Sequence, residues 1–168
     1  MSEVSDVDRH WLHRAIDLSR RCPPTDVGYA VGAIVVSVDG DPLATGYSRH
    51  DGSRVHAEES ALRKLGWRDG HPAEPELSAA TMYSSLEPCS ARLSSSTTCV
   101  QMILAAGIRR VVFALLEPPL FVDCQGAELL CDAGVEVVHL AELGELVIEV
   151  NQRTLTLSRD LVSPPPSP

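Results

Sequence analysis

A single three-layer α/β/α sandwich on a five-stranded mixed sheet is the fold this sequence predicts. Three patterns lead there: an amphipathic helix near the start, a β-hairpin behind it, and strands alternating with helices through the second half. At 168 residues, one domain has room for a core that needs no disulfide staples, because a chain of this size buries about 70% of its unfolded surface.

From Asp8 to Arg21, Trp11, Leu12, Ala15, Ile16 and Leu18 fall on one side at helical spacing, and Cys22-Pro23-Pro24 ends the helix. Ala30 to Val38 is a nearly continuous β-branched run, Asp39-Gly40-Asp41-Pro42 is turn chemistry, and Leu43 to Ser48 resumes as a strand. From His56 to Gly66, Ala57, Ala61, Leu62 and Leu65 mark a short helix stopped by glycine. Then come a strand over Ala80 to Leu86, a helix over Thr98 to Ala106 and a strand over Arg110 to Leu115. A helix from about Val122 to Ala133 and a strand from Val135 to Leu140 follow, and Leu143 to Gln152 adds a last helix. Strands joined through helices of this length form βαβ units, which lie parallel. The domain is expected to span residues 1–162, with 163–168 a disordered proline-rich tail.

Composition excludes several functions. No run approaches the ~20 apolar residues of a membrane span, and the first residues, MSEVSDVDRHW, lack the layout of a signal peptide. A cytoplasmic protein without a membrane partner is expected. In that compartment Cys22, Cys89, Cys99, Cys124 and Cys131 are apolar fillers or metal ligands ahead of disulfide partners. The 23 acids against 14 bases, net charge -9, argue against a polynucleotide partner. Thirteen of the 14 bases are arginine, so a bound phosphate would meet a guanidinium fork.

Two stretches carry metal chemistry. His56-Ala57-Glu58 opens the second helix, and Pro88-Cys89 follows the third strand, with Cys99 at the start of the next helix. Zinc takes imidazole nitrogen and thiolate together, and a catalytic zinc keeps three protein ligands with a fourth position for water. His56, Cys89 and Cys99 make that set, and Glu58 stands beside it as a proton carrier. Cys124 and Cys131 are rivals for the third ligand, both on a later helix. Nine residues separate Cys89 from Cys99, so the segment between them must loop out before returning its thiolate.

H-x-E followed by P-C and a later cysteine is the pattern of zinc nucleobase deaminases. On these residues the chain resembles the cytidine deaminase-like superfamily, and within it the pyrimidine deaminase domain of riboflavin biosynthesis, which also lengthens the gap between its cysteines. The resemblance runs through Gly52 to Leu62, Leu86-Glu87-Pro88-Cys89-Ser90, Ala106 to Val112 and Gly126 to Val135. It implies a stand-alone deaminase domain without the reductase many relatives carry, a zinc cofactor, a homodimer or homotetramer, and a small pyrimidine substrate. The implied reaction replaces an exocyclic amine by a carbonyl and releases ammonia, with Glu58 moving the protons. The backbone around Ala57 and Cys89 would orient the base, Ser90 and Ser48 would contact it, and Arg49, Arg54 and Arg92 are candidates for an anion clamp. The sequence departs from that group at the pocket rim. Gly28-Tyr29-Ala30 stands for P-N-P, Ser48 for a histidine, Ala91 for another, Ser94 to Thr98 for G-R-T-P-P, and Glu117-Pro118-Pro119-Leu120 for D-P-N-P. Two further readings stay open: a deaminase of cytidine or a cytosine nucleotide, and an inactive zinc-containing binding module.

Overall fold

The structure, a computed structural model, describes residues 5–68, 76–121 and 123–162. Its elements in chain order are α1 (Asp6–Ser19), β1 (Gly32–Val36), β2 (Pro42–Tyr47), α2 (Ala57–Lys64), β3 (Thr81–Leu86), α3 (Cys99–Ala105), β4 (Arg110–Leu115), α4 (Gly126–Asp132), β5 (Glu136–His139), a 3-10 turn (Ala141–Leu143), α5 (Gly144–Val150) and α6 (Gln152–Val162). The sheet order is β2-β1-β3-β4-β5. β1 runs antiparallel to β2 and β3, whereas β3, β4 and β5 are parallel, which makes the five-stranded sheet mixed, as predicted.

Side chains that alternate along each strand fill two separate cores. Ile34, Tyr83, Val112 and Val138 stand in register across four strands and pack with Trp11, Leu12 and Ile16 of α1 and Val147 of α5. Their neighbours Val35, Met82, Val111 and Val137 form the matching row on the opposite face, against Leu62 of α2, Ile103 of α3 and Leu130 of α4. Two covered faces make the three layers.

Several boundaries differ from the sequence pattern for identifiable reasons. α1 begins at Asp6 because Ser5 caps it, its hydroxyl accepting from the Asp8 N–H while the Asp8 carboxylate accepts from the Ser5 N–H. β1 stops at Val36, where the register with β2 slips by a residue. α4 starts at Gly126; Val122, where the predicted helix began, and the 163–168 tail lie outside the described residues. The predicted last helix is α5, and Asn151 closes it. A further helix, α6, follows at once; its Thr-Leu-Thr-Leu run alternates with a period of two, which hides a helix from periodicity. Buried Asn151 at the junction accepts from Ala30 N–H at 2.7 Å and donates to Ala30 O at 3.1 Å. It thereby ties the C-terminal helices to the chain entering β1. No helix among the described residues is long and apolar enough to cross a membrane.

A buried ion pair joins α1 to the sheet. Arg110 clamps Asp8 with two hydrogen bonds, Nη1 to Oδ1 at 2.7 Å and Nη2 to Oδ2 at 3.0 Å, and Tyr83 Oη donates to Oδ1 at 2.9 Å. Burial pushes the Asp8 carboxyl up, but the Arg110 hydrogen bonds, those from Ser5 and Tyr83, and the Arg110 charge outweigh it and hold the group at about 2. A carboxyl lowered in the folded state stabilises fully above its unfolded value, and the contribution fades as acid protonates it in the fold. Asp8→Asn therefore costs about 2–3 kcal/mol at neutral pH, the low end because Glu136 still faces Arg110 at 3.3 Å. Urea denaturation of both proteins checks this: the gap is expected to narrow between about pH 4 and pH 2, and a gap unchanged over that window refutes the ion-pair account.

Candidate metal and active site

Three segments converge beyond the C-terminal end of β3. His56 is the N-cap residue of α2, in extended conformation (φ -81°, ψ 162°), and its side chain makes no capping hydrogen bond. The imidazole is left for other contacts, and Nδ1 lies 3.6 Å from Cys89 Sγ and 3.4 Å from Cys99 Sγ. Cys99 opens α3 behind a capping box in which Thr98 and Gln101 satisfy each other's backbone N–H groups. Its own N–H donates to Cys89 Sγ at 3.4 Å.

The three donor atoms all lie within 4.8 Å of one another. Tetrahedral zinc with its usual bond lengths sets a sulfur and a nitrogen ligand about 3.5 Å apart. The separations of 3.4 and 3.6 Å match, and two thiolates balance a divalent charge. The residues fit the ion in spacing, chemistry and charge.

Glu58 is buried behind this triangle, 3% exposed. Ser84 Oγ donates to Oε1 at 3.1 Å, and Oε2 lies 3.4 Å from Cys99 Sγ. Burial raises the Glu58 pKa, with Cys89 adding to the rise and His56 opposing it. The Cys89 thiol is held well below its ordinary value by hydrogen bonding with Cys99 and His56, against the pull of burial. Cys99 is pushed up by its hydrogen bond to Cys89 and by burial. Burial pulls His56 down, but Cys89 and Glu58 leave it raised.

The turn that carries Cys89 is braced from below. Buried Glu87 accepts from Glu117 N–H at 3.0 Å with Oε2 and from Ala127 N–H at 2.9 Å with Oε1, joining β3 to the β4 exit and to α4. Gly126 is a packing requirement at this joint, because a Cβ there would sit 1.8 Å from Pro88 O. On the other side, a Cβ at Gly46 of β2 would meet Ala57 O at 2.2 Å, so the start of α2 rests directly on the sheet.

A cavity of about 540 Å³ opens over the triangle. Ser48, Arg49, Arg54, His56, Glu58, Cys89 and Arg92 line it among the residues singled out by sequence. Ala57 is fully buried and outside its lining, and Ser90 Oγ accepts from Gln125 N–H at 2.8 Å, toward α4. Ser48 Oγ accepts from Val31 N–H at 3.2 Å. The three arginines are placed differently from one another. Arg49, at φ 65°, spends its guanidinium on Pro23 O and Tyr29 O, pinning the rim segment. Arg92 turns into the protein, its side chain 3% exposed. Arg54 lines the cavity, and its side chain has no described hydrogen bond or ion pair. Cys124 Sγ faces Pro88 O at 3.6 Å and Cys131 is exposed, so neither rival joins the donor cluster.

Sequence reasoning gave no role to three residues of the site, although Glu87 and Glu117 fall in stretches it compared with the family. Ser84 and Glu87 are polar positions inside or just after a strand, where only the tertiary fold shows burial. Glu117 lines the cavity, its pKa pushed up to about 7 by burial and by the Cys89 charge, with Cys124 opposing. Tyr29 and Phe121 meet edge to face beside it, ring centroids 5.3 Å apart.

Residues 5–115 match the family described as the cytidine and deoxycytidylate deaminase zinc-binding region. The chain belongs to this family. Among curated relatives, the diaminohydroxyphosphoribosylamino-pyrimidine deaminase of Schizosaccharomyces pombe is 39% identical over 129 residues, 77% of this chain and 31% of the relative. Of the solved structures, Acinetobacter baumannii RibD superposes with a TM-score of 0.74 at 28% identity, covering 90% of this chain and 40% of that one. The Aspergillus oryzae Rib2 deaminase in complex with DARIPP gives 0.72 at 25% identity, covering 94% and 100%. The chain spans about a third of the length of the curated relatives it matches.

The donor triangle makes a direct prediction about zinc content. Purified protein is expected to hold close to one zinc per chain by atomic emission, Cys99→Ala to lose it, and Cys124→Ala to keep it. The reverse pattern would remove Cys99 from the site.

Proposed function

We propose that this domain is a zinc-dependent hydrolytic deaminase of a small pyrimidine, of the aminopyrimidine class that precedes riboflavin. One observation carries the reading: His56, Cys89 and Cys99 present donors at zinc spacing, with the Glu58 carboxylate buried against them at the floor of the cavity. The printed names of the relatives point the same way.

His56 Nδ1, Cys89 Sγ and Cys99 Sγ would hold the ion, whose chemistry is to activate water as a nucleophile near neutral pH. The chain's own work falls to Glu58. Its carboxylate takes a proton from the attacking water as the new C–O bond forms and passes it to the ring nitrogen that receives the C=N electron pair. The remaining proton of the newly added hydroxyl, handed on through the same oxygen, goes to the amine, the C–N bond breaks, and ammonia leaves behind a carbonyl. Ser84 holds Oε1, so the proton-carrying work belongs to Oε2. Tyr29 and Phe121 supply aromatic wall, and Arg54 is the cation available to an anionic tail.

The rewritten rim supports a second reading, a deaminase of a cytosine nucleoside or nucleotide: Arg49 is spent on the rim backbone, and Tyr29 Oη donates to Pro118 O at 2.9 Å. Ammonia release from the phosphorylated riboflavin precursor, its dephosphorylated form, cytidine and deoxycytidylate separates the two, with the phosphorylated precursor expected fastest. Glu58→Gln is expected to keep zinc and to lose about 10²- to 10⁴-fold in kcat; wild-type turnover in that variant would defeat the mechanism. Arg54→Met is expected to raise KM about tenfold for a phosphorylated substrate and to leave the dephosphorylated one unaffected.

A further inference from the structure

The nine residues between Cys89 and Cys99 form no regular element, and no apolar side chain anchors them. Ala91 is exposed and Leu93 is 90% exposed. A connection without buried hydrophobic groups relies on polar contacts for its position, and four of those here pass through one side chain. Arg92 Nε donates to Ser94 Oγ at 2.9 Å, Nη1 to Glu59 Oε2 at 3.0 Å and to Thr97 O at 3.5 Å, and Nη2 to Arg54 O at 2.7 Å. Four of the five N–H donors of the guanidinium are thereby engaged.

These partners lie on every segment that carries a donor. Arg54 precedes His56 by two residues and Glu59 sits in the first turn of α2, three residues after it. Arg92 itself follows Cys89, and Ser94 and Thr97 lead into Cys99. Glu59 is 7% exposed, and its second oxygen accepts from Arg63, so the acid is fully partnered as well. We propose that Arg92 is a positioning residue for the metal site: its buried fork locks the loop between the cysteines onto the start of α2 and so sets zinc affinity. The inference rests on the three-donor reading above. A buried ion pair contributes little net stability compared with apolar packing, but it fixes which surfaces meet. Lysine could keep the charge opposite Glu59 and could not span Ser94, Thr97 and Arg54 at once.

Zinc affinity of the full chain, measured by competition with a chromophoric chelator, tests this. Groups that orient metal ligands typically govern about 10- to 100-fold of affinity, which is the loss expected for Arg92→Met, with a smaller loss for Glu59→Gln and partial recovery in Arg92→Lys. Arg63→Met removes only the exposed partner of Glu59 and is expected to leave affinity within about twofold. In the metal-free protein, alkylation of Cys99 followed by peptide mass mapping is expected to accelerate by a similar factor in Arg92→Met. The visible bands of the cobalt-substituted protein should shift in that variant, which general loss of stability does not produce. Wild-type zinc affinity and an unchanged cobalt spectrum in Arg92→Met overturn the proposal. Should that variant fail to fold, Glu59→Gln carries the same criterion. A wild-type chain that binds no zinc, or binds it equally well after Cys99→Ala, overturns the three-donor reading and this proposal with it.

Discussion

The site depends first on how closely backbone meets backbone. α2 rests on β2 with no side chain between them at Gly46, and the Pro88 carbonyl sits where a side chain at residue 126 would be. These two contacts set the height of α2 and of the Cys89 turn above the sheet. A single methyl at either place would have to move a carbonyl by more than an ångström, and well-packed interiors do not absorb that locally. Donor atoms brought to 3.4 and 3.6 Å need supports of this stiffness.

Closeness brings buried polar groups with it, and the fold satisfies them. Among the described residues no buried side-chain nitrogen or oxygen lacks a partner. Glu87 caps two backbone N–H groups at the joint with α4, Ser85 accepts from Gly32 N–H at 3.1 Å, and Asn151 closes the seam between the C-terminal helices and Ala30. Each such group left unpaired would cost about 1–3 kcal/mol, so these side chains act as conditions on the fold and not as additions to it. The same network separates the roles of the carboxylates. Glu87 and Glu59 have both oxygens occupied by protein donors, whereas Glu58 keeps Oε2 toward the thiol and the cavity.

What could be read from the sequence follows from which signals are local. The five strands and the first helices were legible because β-branched runs and a one-sided apolar stripe report burial directly. His56, Glu58, Cys89 and Cys99 stood out because few residue types ligate zinc and their spacing placed them at helix starts. Ser84, Glu87 and Glu117 carried no such signal, since a polar residue in or after a strand reads as exposed until the opposite layer is known. Arginine is the hardest case. Arg49, Arg54 and Arg92 look alike in sequence, but the side chains of Arg49 and Arg92 are directed by carbonyls and a carboxylate tens of residues away, while that of Arg54 has no such partner among the described contacts. α6 was missed for a different reason: its Thr-Leu-Thr-Leu start mimics a strand.

Those arginine directions decide the polarity of the cavity. Two of the three guanidiniums that flank it are turned mainly to protein acceptors, with three of the five N–H donors of Arg49 and four of those of Arg92 engaged there. The floor carries Cys89, Glu58 and Glu117, and burial raises both carboxyl groups, with the Cys89 charge adding to the rise and His56 opposing it. Arg54 at the mouth is the remaining cation of the three. The cavity is therefore acid-lined at the bottom and basic at one edge. Under the proposed function, a flat molecule with hydrogen-bond donors at one end and an anion at the other would enter it with the donors toward the carboxylates and the anion toward Arg54. On that proposal, the nitrogen-bearing end would then lie over the donor triangle, within reach of Glu58.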